Sequence, residues 1–180
     1  MSLNPRIGHQ TGFTLIELLV AIAVLVILAT VAVPSFTAVI RSNRAASEAN
    51  QVLSIITLAR SEAIRRNRTV TICPSTDGSS CTGGTSWTDG VIVFADALPL
   101  GQRADDDDDE TLIQAVQPLS VVSTISTNLS GGALTYTAVG RTSSRVMGTI
   151  TVSPLVDSDR YDRRVTISAS GRPQIAKPST

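Results

Sequence analysis

The chain has 180 residues, with 15 basic and 15 acidic side chains and a formal net charge of +0 at pH 7. Such a balance argues against bulk electrostatic binding to nucleic acid and leaves room only for a local basic patch. The length suits one membrane helix and one domain of modest size. The only histidine is His9, and the two cysteines lack CxxC spacing, so no zinc-ligand set is present.

Residues 1–12 read as a leader rather than as part of the fold, with Arg6 and His9 and no acid. A hydrophobic stretch follows, Gly12-Phe13-Thr14-Leu15-Ile16-Glu17 and on to Val33. Counted from Phe13 it has about 21 residues, which at about 1.5 Å each cross a bilayer core of about 30 Å. The basic leader keeps the N-terminus cytoplasmic and sends the rest of the chain outward. Glu17 lies inside the span, where an ionised carboxylate costs about 2.5 kcal/mol or more unless it is paired or near the headgroups. No lysine or arginine stands between Phe13 and Val39. A partner must come from elsewhere, or Glu17 must be neutral. A free α-amine on a neighbouring chain would serve, were the chain cut just before Phe13.

Gly12-Phe13-Thr14-Leu15-Ile16-Glu17 resembles the class III signal sequence of type IV pilins and pseudopilins. The resemblance implies cleavage between Gly12 and Phe13 by a prepilin peptidase, and methylation of the new N-terminal Phe13. It implies that Glu17 pairs with the N-terminal amine of an adjacent subunit. Pro34 falls where many pilins carry a helix-kinking proline. Losing a donor there predicts a bend or local melting.

Helical patterning then continues. Val39, Ala46, Ala49, Leu53, Ile56 and Ala63 recur at helical spacing, widened by Val52, Ile55 and Ala59. The helix is expected to reach about Asn67 and to end in the basic turn Arg65-Arg66-Asn67-Arg68, which complements its C-terminus. From Phe13 such a helix is about 80 Å long.

The remainder is rich in β-branched residues and short of aromatics, which favours a β-rich domain. Strands are expected at 69–73, 87–95, 112–119, 121–127, 133–139, 148–154 and 163–169, separated by turn residues. Cys73 and Cys81 flank a turn, Asp77-Gly78-Ser79-Ser80, and face a compartment where disulfides persist. A disulfide closing this small loop is expected. Trp87 reads as a core or loop anchor. The run from Asp105 to Glu110 reads as a solvated linker, because Glu110 stands where a calcium loop needs glycine. No metal or cofactor is expected. The tail from Ser170 reads as a solvated turn and terminus.

The segment TVTICPS, the second cysteine, the tryptophan and GVIVFAD resemble the outer domain of the GspH/FimT family, which holds minor pilins and minor pseudopilins. The two resemblances imply an α+β chain with the type IV pilin fold, a long N-terminal helix packed on an antiparallel β-rich domain. Its parts would be a leader (1–12), a transmembrane and assembly helix (13–34), an amphipathic half-helix (35–68) and a periplasmic or extracellular head (69–180). They imply a minor pilin of the assembly-priming or tip complex of a type IV pilus, serving twitching motility, adhesion or DNA uptake. Alternatives are a minor pseudopilin of type II secretion and a DNA-binding minor pilin of natural transformation. In the DNA-binding branch the tail carries Gly-Arg-x-Arg. Here Gly171-Arg172 is followed by Gln174, so contact through Arg172 and Lys177 would be weak. The implied partners are other minor and major pilins, the prepilin peptidase and the inner membrane before assembly. No catalytic constellation is present, so the chain is not expected to be an enzyme.

Overall fold

The computed structural model describes residues 12–97, 101, 103, 110–143, 147–156 and 158–176, with the backbone alone at 31, 34, 158 and 159. The proposed leader up to residue 11, Asp105 to Asp109 and Lys177 lie outside the described residues. The chain divides into two compact units, Met1–Ile40 and Arg41–Thr180.

Helix α1 spans Leu15–Arg66. The helix is unbroken at Pro34, so of the bend or local melting expected there, melting is absent. A proline removes one donor, and the flanking residues keep theirs. Among the described residues of the first unit, large apolar side chains such as Leu18, Leu19, Ile22 and Leu25 are exposed. One 18-residue window reaches a mean hydropathy of 2.9 with none of it buried, long and apolar enough to cross a membrane. Thr30 donates its hydroxyl to the Ile27 carbonyl at 2.7 Å, so this polar group is satisfied within the helix.

In the second unit the same helix turns one stripe inward. Ala45, Ala49, Val52, Ile55, Ile56, Ala59 and Ala63 are buried. Val39 is exposed and Ala46 and Leu53 only partly covered, so the stripe begins later than its periodicity indicated and runs through Ala45. The helix ends where Asn67 adopts φ 50°, a left-handed residue closing the last turn. Arg65 and Arg66 both bind Glu62, at 2.5 and 2.6 Å. These two guanidinium groups hold the Glu62 carboxyl down at about 2.

Among the described residues eight strands form two four-stranded sheets. They are β1 (Val70–Pro74), β2 (Val91–Ala95), β3 (Leu112–Val116), β4 (Ser123–Thr127), β5 (Leu134–Tyr136), β6 (Gly148–Pro154), β7 (Arg163–Ile167) and β8 (Pro173–Ala176). The first sheet has the order β3-β2-β1-β5 and the second β4-β6-β7-β8, and every pairing is antiparallel. A short helix α2, Ser158–Tyr161, links β6 and β7.

The helix stripe and the inner faces of both sheets share one core. Val52, Ile56 and Ala59 meet Val70, Ile72 and Val93 of the first sheet and Ile125, Ile150 and Val165 of the second. Strand β6 alternates buried and half-buried along its whole length, as a sheet with one wet face must. Strands β1 and β2 are buried at every position. Their second face carries a separate cluster, Cys73, Ile92 and Phe94, with Cys81 and Ala133 packed over it.

Two expectations are corrected. Residues 173–176 are a strand paired with β7, not a solvated tail. Tail residues of ordinary polarity join the sheet because the exposed edge of β7 offers unpaired backbone groups. Glu110, read as part of a solvated linker, is buried, and its Oε1 accepts the Ala97 amide at 3.2 Å. It stands at the end of the acidic run, where the chain enters β3, so the ladder draws it inward.

Candidate assembly site

The first candidate group is at the start of α1. Gly12, Phe13 and Thr14 are non-helical and Phe13 is exposed. Thr14 Oγ1 accepts the Glu17 amide at 3.3 Å. This is half of a capping box, in which a threonine three residues before an acid satisfies a free amide of the first turn. The sequence reading weighed the Glu17 side chain, as a partner for an amine, as a neutral acid or near the headgroups, and not its backbone amide. The spacing Thr14-x-x-Glu17 was the available signal for its backbone role. Glu17 is exposed, and none of the described residues covers it. Pro34 lies within α1.

The second group is the cysteine loop. Cys73 and Cys81 are bonded, with sulfurs 2.01 Å apart and Cα atoms at 5.6 Å. Asp77 organises the loop between them. Its Oδ1 accepts the Ser79 and Ser80 amides, each at 2.8 Å, and the Ser75 hydroxyl at 2.9 Å; its Oδ2 accepts the Ser80 hydroxyl at 2.5 Å. These donors, the Ser80 hydroxyl first, hold the Asp77 carboxyl well below its ordinary range.

Trp87 is fully buried, and its Nε1 donates to the Gly132 carbonyl at 2.9 Å. The backbone around it bridges the sheets: the Trp87 amide donates to Ile125 at 2.7 Å, and Thr127 donates to Thr85 at 2.9 Å. Trp87 is thus an anchor between the two sheets.

Of the two suggested phosphate contacts, only Arg172 falls among the described residues. Arg172 is exposed on the turn before β8, with its amide bound to Ser168 Oγ at 3.2 Å. Arg163 donates to the Tyr161 and Asp162 carbonyls and to Ser42 Oγ at 3.0 Å, which commits it to structure. A buried network was missed by the sequence reading. Thr71 donates its hydroxyl to Asp96 Oδ2, which also accepts the Gly101 amide at 2.8 Å. Burial raises the Asp96 carboxyl above its usual range. The signal was an acid directly after the apolar strand VIVFA.

Among the described residues no group of three or more metal-ligating side chains is gathered. What the chain does present is an exposed apolar helical segment with an acid near its start, followed in sequence by a disulfide-closed β-rich unit. Residues 48–171 match the family described as Type II transport protein GspH, and residues 7–33 match the prokaryotic N-terminal methylation motif. The chain belongs to the GspH family. It is a type IV minor pilin or minor pseudopilin of the GspH/FimT group.

The type IV minor pilin FimU of Pseudomonas aeruginosa superposes with a TM-score of 0.58 at 22% identity, over 75% of this chain and 90% of that one. The minor pseudopilin EpsH from the type 2 secretion system of Vibrio cholerae superposes with a TM-score of 0.50 at 17% identity, over 76% of this chain and 98% of that one. Both likenesses concern the fold: a long N-terminal helix packed on antiparallel sheets. Membership implies assembly with other pilin-like subunits, and the methylation motif with its apolar helix points to membrane anchoring.

Proposed function

We propose that this GspH-family chain is a minor pilin of a type IV pilus, a non-catalytic subunit of the complex that primes assembly and sits at the tip. The observation that carries this reading is the pairing, in one chain, of the methylation motif at 7–33 with a helix whose apolar face is fully exposed. Such a face is satisfied in turn by lipid and by the helices of neighbouring subunits. A prepilin peptidase cuts after Gly12, and the anchor holds the subunit in the inner membrane with the head outside. The disulfide suits that side.

On assembly the helix passes from lipid into a bundle of like helices. Glu17 then meets the Phe13 amine of an adjacent chain. Each charge alone is costly in an apolar bundle, and together they fix register as well as attract. Deleting the chain is expected to reduce surface pili and the twitching, adhesion or DNA uptake that depends on them. Glu17→Ala should abolish incorporation. Unchanged recovery of the variant in sheared pili would remove the pairing role.

A second reading, a minor pseudopilin of type II secretion, is favoured by the description of the matching family and by EpsH. Mass spectrometry of pili sheared from the cell separates the two. A peptide starting at methylated Phe13 in the pilus fraction supports the pilus. Mature chain confined to the envelope, with protein export lost on deletion, supports secretion. DNA contact through Arg172 and Lys177 is the weakest reading. Two or three phosphate contacts give salt-sensitive binding only.

A further inference from the structure

One end of the β4–β6 ladder is unusual. Ser123 pairs with Pro154, and just beyond that pair the Leu155 amide donates to the Val122 carbonyl at 3.2 Å. Turns at a ladder end are ordinarily polar. Here they are two apolar pairs, Val121-Val122 and Leu155-Val156, and all four side chains are exposed; Val121 is 76% and Leu155 66% accessible. With Arg41 and Arg44 of α1 they line an open cleft of about 260 Å³. That is below the roughly 300–1,000 Å³ of pockets that enclose a small molecule. A contiguous exposed apolar patch rimmed by charge marks a docking surface.

We propose that this cleft docks the head onto an anionic phospholipid surface before the subunit is assembled. The inference rests on the membrane-held stage of the function proposed above. Charge selects the occupant. Among the described lining residues the charged groups are Arg41, half-buried and already engaged within the molecule, and the exposed Arg44, and none is a carboxylate. Glu48, one turn beyond Arg44, does not line the cleft, and its Oε1 accepts the Ser120 hydroxyl at 2.6 Å. Arginine with adjacent aliphatic side chains is the composition of an interfacial contact: the guanidinium meets phosphate while its stem and the valines enter the headgroup boundary.

Chain connectivity supplies the place. Residues 18–40 carry no charge, and Arg41 is the first charged residue after them. Twenty-three helical residues rise about 35 Å, slightly more than a hydrocarbon core of about 30 Å. Arg44 follows Ile40 by four residues, so it starts within about 15 Å of the apolar segment's end along any path of the chain. That is the depth of the headgroup layer, whatever arrangement the rest of the molecule takes.

The test uses the full chain in vesicles of equimolar phosphatidylcholine and phosphatidylglycerol, and of phosphatidylcholine alone. The native cysteines are paired and no free cysteine is present. A single environment-sensitive probe is therefore attached at Leu155→Cys or, as a control on the far edge of the second sheet, at Gln174→Cys. Lipids brominated near the headgroup act as quenchers. Flotation with the vesicles checks anchorage separately.

The expected result is quenching at position 155 and not at 174, stronger with phosphatidylglycerol and weakened by salt. Arg44→Gln should lower the docked-to-undocked ratio about fivefold, the worth of one basic residue at an anionic surface. Val121→Ser, which leaves the charge intact, should lower it too. Floating chains with equal quenching at both positions would overturn the docking and leave the anchorage standing. Shielding at 155 that follows protein density and ignores lipid charge would overturn it in favour of contact with a second subunit. Failure to float would overturn the membrane-held reading, and the docking with it.

Discussion

The Tyr136 hydroxyl donates a 3.0 Å hydrogen bond to the Gly171 carbonyl oxygen, tying the edge strand of one sheet to the turn that leads into the edge strand of the other. Both partners are buried. Gly171 has φ +81°, and a Cβ there would stand 2.4 Å from the Gly140 carbonyl oxygen and 2.9 Å from Tyr136 Cε1.

From this pair a graded loss of stability is expected. Tyr136→Phe removes one hydrogen bond and leaves the Gly171 carbonyl without its donor, at a cost of about 1–2 kcal/mol. Gly171→Ala combines a left-handed residue with a backbone clash and should cost about 2 kcal/mol or more. Denaturant unfolding in detergent checks the order. Gly171→Ala matching wild type would mean that the turn can move without penalty.

The same tyrosine gives an alkaline prediction. Burial pushes its phenol up to about 12 from an ordinary 10, with Arg60 opposing. A raised folded value means that the neutral phenol is favoured in the folded state. The contribution is complete below pH 10 and is lost as pH climbs through about 12. Melting temperature should therefore fall more steeply across this window for wild type than for Tyr136→Phe. Parallel curves would show that Tyr136 does not govern alkaline unfolding.

The disulfide closes a loop with a sequence separation of 8. On chain entropy alone, replacing both cysteines by serine should cost about 2–3 kcal/mol. Asp77 organises the loop independently of the sulfurs. Asp77→Ala should therefore speed amide exchange at Ser79 and Ser80 while the disulfide stays intact. Unchanged protection at those two amides would assign the loop's order to the bond alone.

Trp87 is the only tryptophan, so its emission reports the contact between the sheets. Buried emission should be blue-shifted and move to the red on unfolding. Trp87→Phe loses the 2.9 Å bond to Gly132 and leaves a partial void, costing about 2–4 kcal/mol. A variant as stable as wild type would contradict its role as anchor.

Local signals carried much of this chain. The 3.6-residue stripe located α1, and β-branched runs located seven of the eight strands, GTITVSP with the same bounds as β6. Periodicity overshot at strand ends: 121–127 shrank to Ser123–Thr127 because Val121 and Val122 turn outward beyond the last ladder pair. Strand β8 was not legible, because PQIA becomes a strand only by lying against β7. For Glu110, a run of acids reads as solvated from composition, and only packing shows that this acid enters the interior.

The sequence by itself determined the apolar span, the Gly12-Phe13 junction with Glu17, the cysteine pair and the β-rich head. All of these depend on residues near one another along the chain. Tertiary structure alone decided the sheet order, the commitment of Arg163 to Ser42, the Tyr136–Gly171 tie and the cleft where Arg41 and Arg44 meet Val121 and Leu155. Each of those joins residues tens of positions apart. No local propensity encodes such a meeting; it follows from which sheet faces must be buried together.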